Sequence, residues 1–284
     1  MKKILVQVDS DSRVSTFDQV VAYDSGVDNI ISYGGIDESE IQNIVYGCIF
    51  TRGLDEMHNT ALCIGGSDVA KGEKCMDAAL KTFFAGFKIS VMLDSNGCNT
   101  TSAAAVLKIG KSIDLKGKKA VVLGAGPVGS RGALHFANEG CNVTLTDITM
   151  ELAKKSVDQL EQRFAVKGIT PAASNGKDAV LAVLEGADIV LAAGPPKVRL
   201  LTEDMWAGHP TLKVLADINA VDPSGIEGIK PNDDGKERNG KIVFGALGIG
   251  GFKMKLQYKA LAELFTSNDK LLNAPNMYNL GKDL

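Results

Sequence analysis

Three glycines in one short turn carry the first chemistry the chain offers. Residues 120–123 (Ala-Val-Val-Leu) read as a buried strand. The strand runs into Gly124-Ala125-Gly126-Pro127-Val128-Gly129, and 127–139 then has the pattern of a helix. Each glycine meets a separate need. Gly124 makes the tight turn, Gly126 lets backbone approach a pyrophosphate, and Gly129 lets helix and strand pack closely. Pro127 stands where a missing N–H costs nothing. Around Val128 the helix start offers N–H groups and a positive dipole end to phosphates. The next strand, 142–146, leads to Asp147, about twenty residues on, where a carboxylate accepts hydrogen bonds from the adenosine ribose hydroxyls. The spacing predicts a nicotinamide dinucleotide site. The Asp147 carboxylate favours NAD and repels the 2′-phosphate of NADP. Lys154 and Lys155, a turn or two along the following helix, soften that preference, so NADP stays possible. The plainer alternatives are a glycine turn that binds nothing and an Asp147 that merely caps the helix, with Thr149 as competitor. A strand at 188–191 ends in Ala192-Ala193-Gly194-Pro195. Small residues there, Ala193 and Gly194, either admit the nicotinamide-side ribose or form an ordinary turn.

Acid–base and metal chemistry are poorly served. Of the three histidines, His135 lies in the glycine-turn helix and reads as structural, while His58 and His209 lie in polar loops without partners at useful spacing. There is no HExxH or CxxC, and no nucleophile elbow. The five cysteines, Cys48, Cys63, Cys75, Cys98 and Cys141, are odd in number and widely spaced, which argues against disulfides and zinc. Cys48 and Cys63 read as small core residues, and Cys98 as a thiol in a polar loop. The polar run Asp94-Ser95-Asn96-Gly97-Cys98-Asn99-Thr100-Thr101 follows a strand and opens a helix. In open α/β sheets ligands lie at the carboxyl ends of strands. This run either grips a polar heterocycle or simply caps a helix. Asp9 and Ser10 also end a strand, with Phe17-Asp18 shortly after.

Short strand patterns alternate with helical ones to position these groups. Strands are read at 4–8, 61–64, 88–93, 120–123, 142–146, 188–192 and 214–216. Helices are read at 67–84, 99–109, 127–139, 149–164 and 252–265, the last an amphipathic stripe of Phe252, Leu256, Ala260 and Leu264. Residues 241–251 read as a strand running into a glycine-rich turn. The alternation predicts an α/β protein of two domains, each a mainly parallel sheet flanked by helices, the second of Rossmann type. A polar linker with a turn glycine, Asp114-Leu115-Lys116-Gly117-Lys118, sets the boundary: 1–113 plus 246–284 for substrate, 114–245 for the dinucleotide. The chain has 284 residues and a formal net charge of −3. No basic stripe suits it to nucleic acid. No run of eighteen apolar residues suits it to a membrane span, and the N-terminal apolar run is too short for a signal peptide, so the expected location is the cytoplasm.

Several runs together resemble one family. These are Phe17-Asp18-Gln19-Val20-Val21, Thr51-Arg52-Gly53, Met92-Leu93-Asp94-Ser95-Asn96-Gly97 with Asn99-Thr100-Thr101 and Ala103, and the stretch from Lys116 to Leu123. Gly126-Pro127-Val128-Gly129, Ala216-Asp217 with Asn219-Ala220, and Phe244-Gly245-Ala246-Leu247-Gly248-Ile249-Gly250-Gly251 complete the set. Over nearly its whole length the chain resembles the methylene-tetrahydromethanopterin dehydrogenases of methylotrophic bacteria. The Leu-Asp-Ser-Asn-Gly and Phe-Gly-Ala-Leu-Gly-Ile-Gly-Gly runs are its specific marks; the dinucleotide turn is not.

The resemblance implies hydride transfer from a pterin-bound methylene group to NAD(P)⁺ in one-carbon (formaldehyde) oxidation, giving a methenyl cation. The neighbouring nitrogen lone pair expels the hydride, so no general base is needed, and the protein's task is to hold two partners face to face. On this reading Asp94 stabilises the forming cation and Lys255 contacts pterin or substrate oxygens. Asp18, Ser95, Asn96, Asn99 and Thr100 take the substrate side, and Asn219 and Gly248 join the cofactor residues. NADP-specific relatives tend to carry a basic pair after the second strand; Asp147-Ile148-Thr149 stands there instead and favours NAD, or use of both. The resemblance also implies a homo-oligomer, with a trimer the leading form. The alternatives are a methylene-tetrahydrofolate dehydrogenase, a shikimate-type dehydrogenase, which needs a Lys–Asp pair not evident in the first domain, and a non-catalytic NAD(H) sensor.

Overall fold

A computed structural model describes all residues, 1–284. In chain order the elements are β1 (Ile4–Asp9), α1 (Thr16–Asp24), β2 (Asn29–Gly34), α2 (Ile41–Ile49), β3 (Thr60–Gly65), α3 (Val69–Thr82), β4 (Ser90–Leu93) and α4 (Cys98–Gly110). They continue with β5 (Lys119–Leu123), α5 (Pro127–Asn138), β6 (Asn142–Asp147), α6 (Met150–Phe164), β7 (Ile169–Ala173), α7 (Lys177–Leu184), β8 (Ile189–Ala192), α8 (Glu203–Trp206) and β9 (Val214–Asp217). The last are β10 (Asp234–Arg238), β11 (Lys241–Phe244), α9 (Ala246–Glu263), β12 (Leu271–Leu272) and α10 (Ala274–Gly281). By their internal contacts the residues form two units, 1–100 with 254–284 and 101–253. The changes fall inside α4 and α9, so 101–113 and 246–253 go with the second unit. No helix is long and apolar enough to cross a membrane.

The first unit holds a five-stranded sheet in the order β12-β4-β3-β1-β2, all pairs parallel. Because successive strand residues point to opposite faces, its strands sort themselves. Val6, Val8, Leu62, Ile64, Val91 and Leu93 form one core with Ile41, Val45 and Ile49 of α2 and Cys75, Met76 and Ala79 of α3. Full burial of each large aliphatic side chain here stabilises the fold by ~1.5–3 kcal/mol. The alternate positions are as deeply buried but mixed: Leu5, Ala61, Cys63 and Met92 are apolar, whereas Gln7, Asp9 and Ser90 are polar. Hydrophobic burial explains the first face and the apolar members of the second, but not Gln7 and Asp9. Strand β2 is the outer edge, and nearly all of it is exposed.

The second unit holds a seven-stranded sheet in the order β10-β11-β9-β8-β5-β6-β7. The β10–β11 pair is antiparallel and the rest are parallel. From β7 to β11 this is the doubly wound Rossmann order, which reverses direction between β5 and β8 and opens a crevice there. Val121, Leu123, Val190, Leu215 and Val243 pack on α7 and α8 around Trp206, whose indole N–H donates to the Glu227 carbonyl at 2.9 Å.

Two expectations change. The glycine-rich run after β11 is not a turn: helix begins at Ala246. Glycine inside a helix costs about 1 kcal/mol relative to alanine, and tertiary packing offsets it. A Cβ on Gly245 or Gly248 would overlap backbone carbonyl oxygens of Lys230 and Asp233. The N–H groups of Leu247 and Gly248 donate to the Pro231 carbonyl. Loop 230–234 thus satisfies the start of α9. Cys98, read as a loop thiol, opens α4 and is fully buried. All five thiols are buried and unpaired by disulfide, and burial pushes Cys48 and Cys141 up to about 12 and Cys75 to about 11.

Asp233 holds that loop. It receives a two-pronged guanidinium from Arg238, at 2.6 and 2.7 Å, and the Lys230 N–H at 2.7 Å. Burial, the largest single influence, would raise its carboxyl, but the hydrogen bonds from Arg238 and the Lys230 N–H, together with the positive charges of those two side chains, outweigh it and hold the carboxyl below the usual range. Asp233→Ala is expected to lower stability by about 2–3 kcal/mol at neutral pH. The carboxyl is depressed in the folded state, so its contribution is complete above the unfolded value near ~3.9 and is lost as pH falls through the folded one. In thermal melts the gap between variant and parent should close below about pH 4; a gap constant with pH would show that the pair does not carry the effect.

Candidate active site

The cofactor residues are built by the β5–α5 turn. Gly124 has φ +104°, and a Cβ there would lie 2.7 Å from the Ala193 carbonyl oxygen. A Cβ on Gly129 would overlap the Gly124 carbonyl oxygen. Gly124 is therefore fixed by its backbone conformation and by packing, and Gly129 by packing alone. Gly126 is different: nothing lies within 4 Å of where its Cβ would stand. It is the N-cap of α5, with Pro127 at the first helical position and no side chain closing the cap. The N–H groups of Val128 and Gly129 have no helical acceptor, since the first helical bond runs from Ser130 to Gly126. By contrast α1, α3 and α6 are capped by Ser15, Asp68 and Thr149. In this unit α7 and α8 also lack a side-chain cap, but α7 starts after a glycine held at φ +90° and α8 after Thr202, so α5 is the start left open above a glycine that its own fold does not require, which fits a dinucleotide pyrophosphate.

Thr149, not Asp147, caps α6. The Asp147 carboxylate turns back toward the glycine turn, accepting the Ala125 N–H at 3.2 Å and its neighbour Ile148 N–H at 2.7 Å. That puts a half-exposed acceptor beside the turn. Lys154 and Lys155 are both exposed on α6. Across the crevice, Ala193 and Gly194 follow β8. Ala193 packs on Gly124 and Gly129, and a side chain at 194 would meet Leu200 at 2.8 Å. Asn219 ties this edge together, its side-chain amide donating to the Gly194 carbonyl at 3.3 Å. Buried Asp217 in turn accepts the N–H groups of Asn219 and Ile226, at 2.9 and 2.8 Å. Burial raises its carboxyl above the ordinary value. Gly248, at the start of α9, gives its N–H and its close contact to loop 230–234.

The substrate-side residues gather in the first unit, where the order β2-β1-β3-β4 reverses between β1 and β3. A narrow pocket is lined there by Gln7, Asp18, Cys63, Gly65, Asp94 and Gln257, with Leu5, Met92 and Leu261 among its apolar walls. Asp18 and Asp94, both read from the sequence, meet in it. Asp94 is 8% exposed. It accepts the N–H groups of Asn99 and Thr100 at 2.9 and 3.0 Å, and the Thr100 hydroxyl at 2.6 Å. It thus caps α4 and lines the pocket at once.

Other residues of the polar run work inward. The Ser95 hydroxyl donates to the Gly65 carbonyl at 2.8 Å and fills the space that Gly72 leaves for it. The Asn99 amide donates to the Leu93 carbonyl, and Thr100 is fully buried. Asn96 alone is exposed, in the left-handed region at φ +53°, which asparagine tolerates. Lys255 is exposed on α9. It stands two residues from Gln257, roughly opposite on the helix, and does not line this pocket. Gln7 and Gln257 were not singled out by sequence reasoning, and Cys63 was read as a small core residue, which its burial bears out. The one signal of the two glutamines is polarity at buried positions. Nearby, Asp9 is buried, which raises its carboxyl even though the Asp11 and Ser15 N–H groups hold it.

Residues 16–96 match a family profile described as methylene-tetrahydromethanopterin dehydrogenase, N-terminal, and residues 112–217 one described as putative NAD(P)-binding. The chain is 43% identical to the bifunctional protein MdtA of Methylorubrum extorquens, over all of this chain and 99% of that one. The chain belongs to the methylene-tetrahydromethanopterin dehydrogenase family. The NAD(P)-dependent methylenetetrahydromethanopterin dehydrogenase of the same organism is 32% identical over 95% of each chain. Among solved structures, shikimate 5-dehydrogenase from Listeria monocytogenes, in complex with shikimate and NAD, superposes with a TM-score of 0.55. It covers 98% of this chain and 96% of that one at 13% identity. That likeness shows that this chain shares a fold with that shikimate dehydrogenase, and fold alone does not set chemistry.

Proposed function

We propose that this chain oxidises the methylene group of methylene-tetrahydromethanopterin to the methenyl cation and passes the hydride to NAD(P)⁺. Its relatedness over the full length to two proteins of this family carries the reading, and the two half-sites fit it. The open start of α5 above Gly126 would hold the pyrophosphate, Asp147 the adenosine ribose, and the Ala193–Gly194 edge with Asn219 the nicotinamide side. NAD(P)⁺ supplies the hydride acceptor.

The chain's own residues then have little proton chemistry to do, because no proton leaves when hydride departs beside a nitrogen lone pair. The pocket agrees. Its polar lining is carboxylate and amide, and no lysine or histidine lines it, as a shikimate-type Lys–Asp pair would require. Asp94, fixed by three donors, cannot turn away. A preorganised carboxylate of that kind stabilises positive charge developing on a bound substrate. Asp18 offers a second acceptor to the pterin. On this reading the enzyme works in the cytoplasm as a homo-oligomer.

The test is a spectrophotometric assay with methylene-tetrahydromethanopterin, run in parallel with NAD⁺ and NADP⁺. A rise at the reduced-nicotinamide absorbance is expected. Silence with this substrate, alongside turnover of methylene-tetrahydrofolate or shikimate, would replace the reading by one of those.

A further inference from the structure

We infer that Gln257 is a positioning residue, which sets the Asp18 carboxylate to accept an N–H from the 2-amino-4-oxopyrimidine edge of the pterin. The inference rests on the pterin reading above. Asp9, Asp18 and Asp94 lie together around Cys63 at this end of the sheet, and their hydrogen bonds separate them; Asp11, beyond Asp9, gives both oxygens to Ser67. Asp9 gives one oxygen to the Asp11 N–H and the other to the Ser15 N–H. Asp94 gives both oxygens to the start of α4. Asp18 gives only Oδ1, which accepts the Gln257 side-chain amide at 2.9 Å. Its Oδ2 accepts nothing from the protein and belongs to a residue that lines the pocket.

The local sequence explains why Asp18 is available. Ser15 caps α1 by accepting the Asp18 N–H at 3.2 Å, which places Asp18 third in the helix. An acidic or amide side chain at that position ordinarily reaches back to the N–H of the cap residue. Here that N–H is taken by Asp9, at 3.1 Å. The capping box is half made, and the Asp18 carboxylate bonds across to α9 instead.

Gln257 is the partner it meets. It is 2% exposed, and its pocket neighbours include Leu5, Met92 and Leu261. Burying an amide among such side chains is costly unless it is bonded. A leucine would continue the wall but could not make the bond to Asp18. One bond fixes the carboxylate rotamer and occupies one oxygen, which leaves the other as a single directed acceptor.

The experiment compares the parent enzyme with Gln257→Glu, Gln257→Leu and Asp18→Asn. It measures KM and kcat for methylene-tetrahydromethanopterin and for NAD(P)⁺ across pH, with calorimetric pterin binding and thermal melts. The ionisable groups that line the pocket with position 257 are Asp18 on α1, Cys63 on β3 and Asp94 after β4, with Asp9 on β1 close enough to interact with Asp18. In Gln257→Glu a protonated side chain still donates to Asp18, whereas an ionised one repels it. The pterin KM should therefore be near the parental value at acid pH and rise about tenfold or more above it, while the NAD(P)⁺ KM stays constant. Gln257→Leu should raise the pterin KM at every pH, and it carries the test if the glutamate variant does not fold. A pterin KM in both variants equal to the parent's, or an equal rise for both substrates, overturns the positioning role. Undiminished pterin affinity in Asp18→Asn overturns it as well. A parent enzyme that neither binds nor turns over the pterin removes the functional reading itself, a distinct result.

Discussion

Gly129→Ala is expected to abolish dinucleotide binding and to destabilise the second unit, whereas Gly126→Ala abolishes binding alone. The two glycines are three residues apart in one motif, and their surroundings differ completely. A methyl group at 129 meets the backbone carbonyl of Gly124, which no rotamer change can relieve. Helix α5 must move off β5, and overpacking of that kind costs about 1–3 kcal/mol or more. A displacement of the helix start by even an ångström is enough for a roughly 100-fold loss at a site built on positioning. At 126 a methyl group meets nothing within 4 Å. The backbone there is ordinary for any residue, at φ −66°, so thermal stability should hold. Binding should still fall, because the space belongs to the ligand. NADH fluorescence titration and melting of both variants check this. Parental affinity in Gly126→Ala would show that the open start of α5 is not the pyrophosphate site.

Asp147→Ser is the second large effect, and it acts on cofactor choice. The parent should prefer NAD⁺. In the variant kcat/KM for NAD⁺ should fall about 10- to 100-fold, the loss of charge-assisted hydrogen bonds to the ribose. Use of NADP⁺ should rise as the repulsion disappears, helped by exposed Lys154 and Lys155 nearby on α6. The fold should be affected little, since the carboxylate is half-exposed and Thr149 supplies the α6 cap. The ratio of kcat/KM values for the two cofactors reports the outcome. A parent enzyme that prefers NADP⁺ would overturn this account of Asp147 while leaving the catalytic reading intact.

How far these features were legible depended on how local their causes are. The glycine turn, its flanking strand and helix and the acidic residue after β6 are set by short-range geometry, so the sequence discloses them. Strands β5 and β8 announce themselves as buried apolar runs. Strand β2 does not, because it is an exposed edge whose residues carry no burial pattern. The first half of α9 misleads for another reason: Gly248, Gly250 and Gly251 argue against helix, and the packing that overrides them comes from loop 230–234. At the substrate end, Asp18 and Asp94 could be picked out as polar residues near strand ends. That Ser95, Asn99 and Thr100 spend their side chains on the turn itself could not. Nor could Gln257, more than two hundred residues from Asp18 in the chain, be paired with it before the fold brought them together.

The borrowed order of that helix has a kinetic side. The first turns of α9 are helical because the Pro231 carbonyl receives their N–H groups and because glycine lets the loop sit close. Asp233, gripped by Arg238, keeps the loop in place. The amide protons of Leu247 and Gly248 are therefore protected by a tertiary contact rather than by the helix's own ladder. Their exchange with solvent should follow the integrity of the Asp233–Arg238 pair more closely than the global unfolding of the chain. A side-chain ion pair in a surface loop thus sets the opening rate of a backbone segment held by that loop's carbonyls.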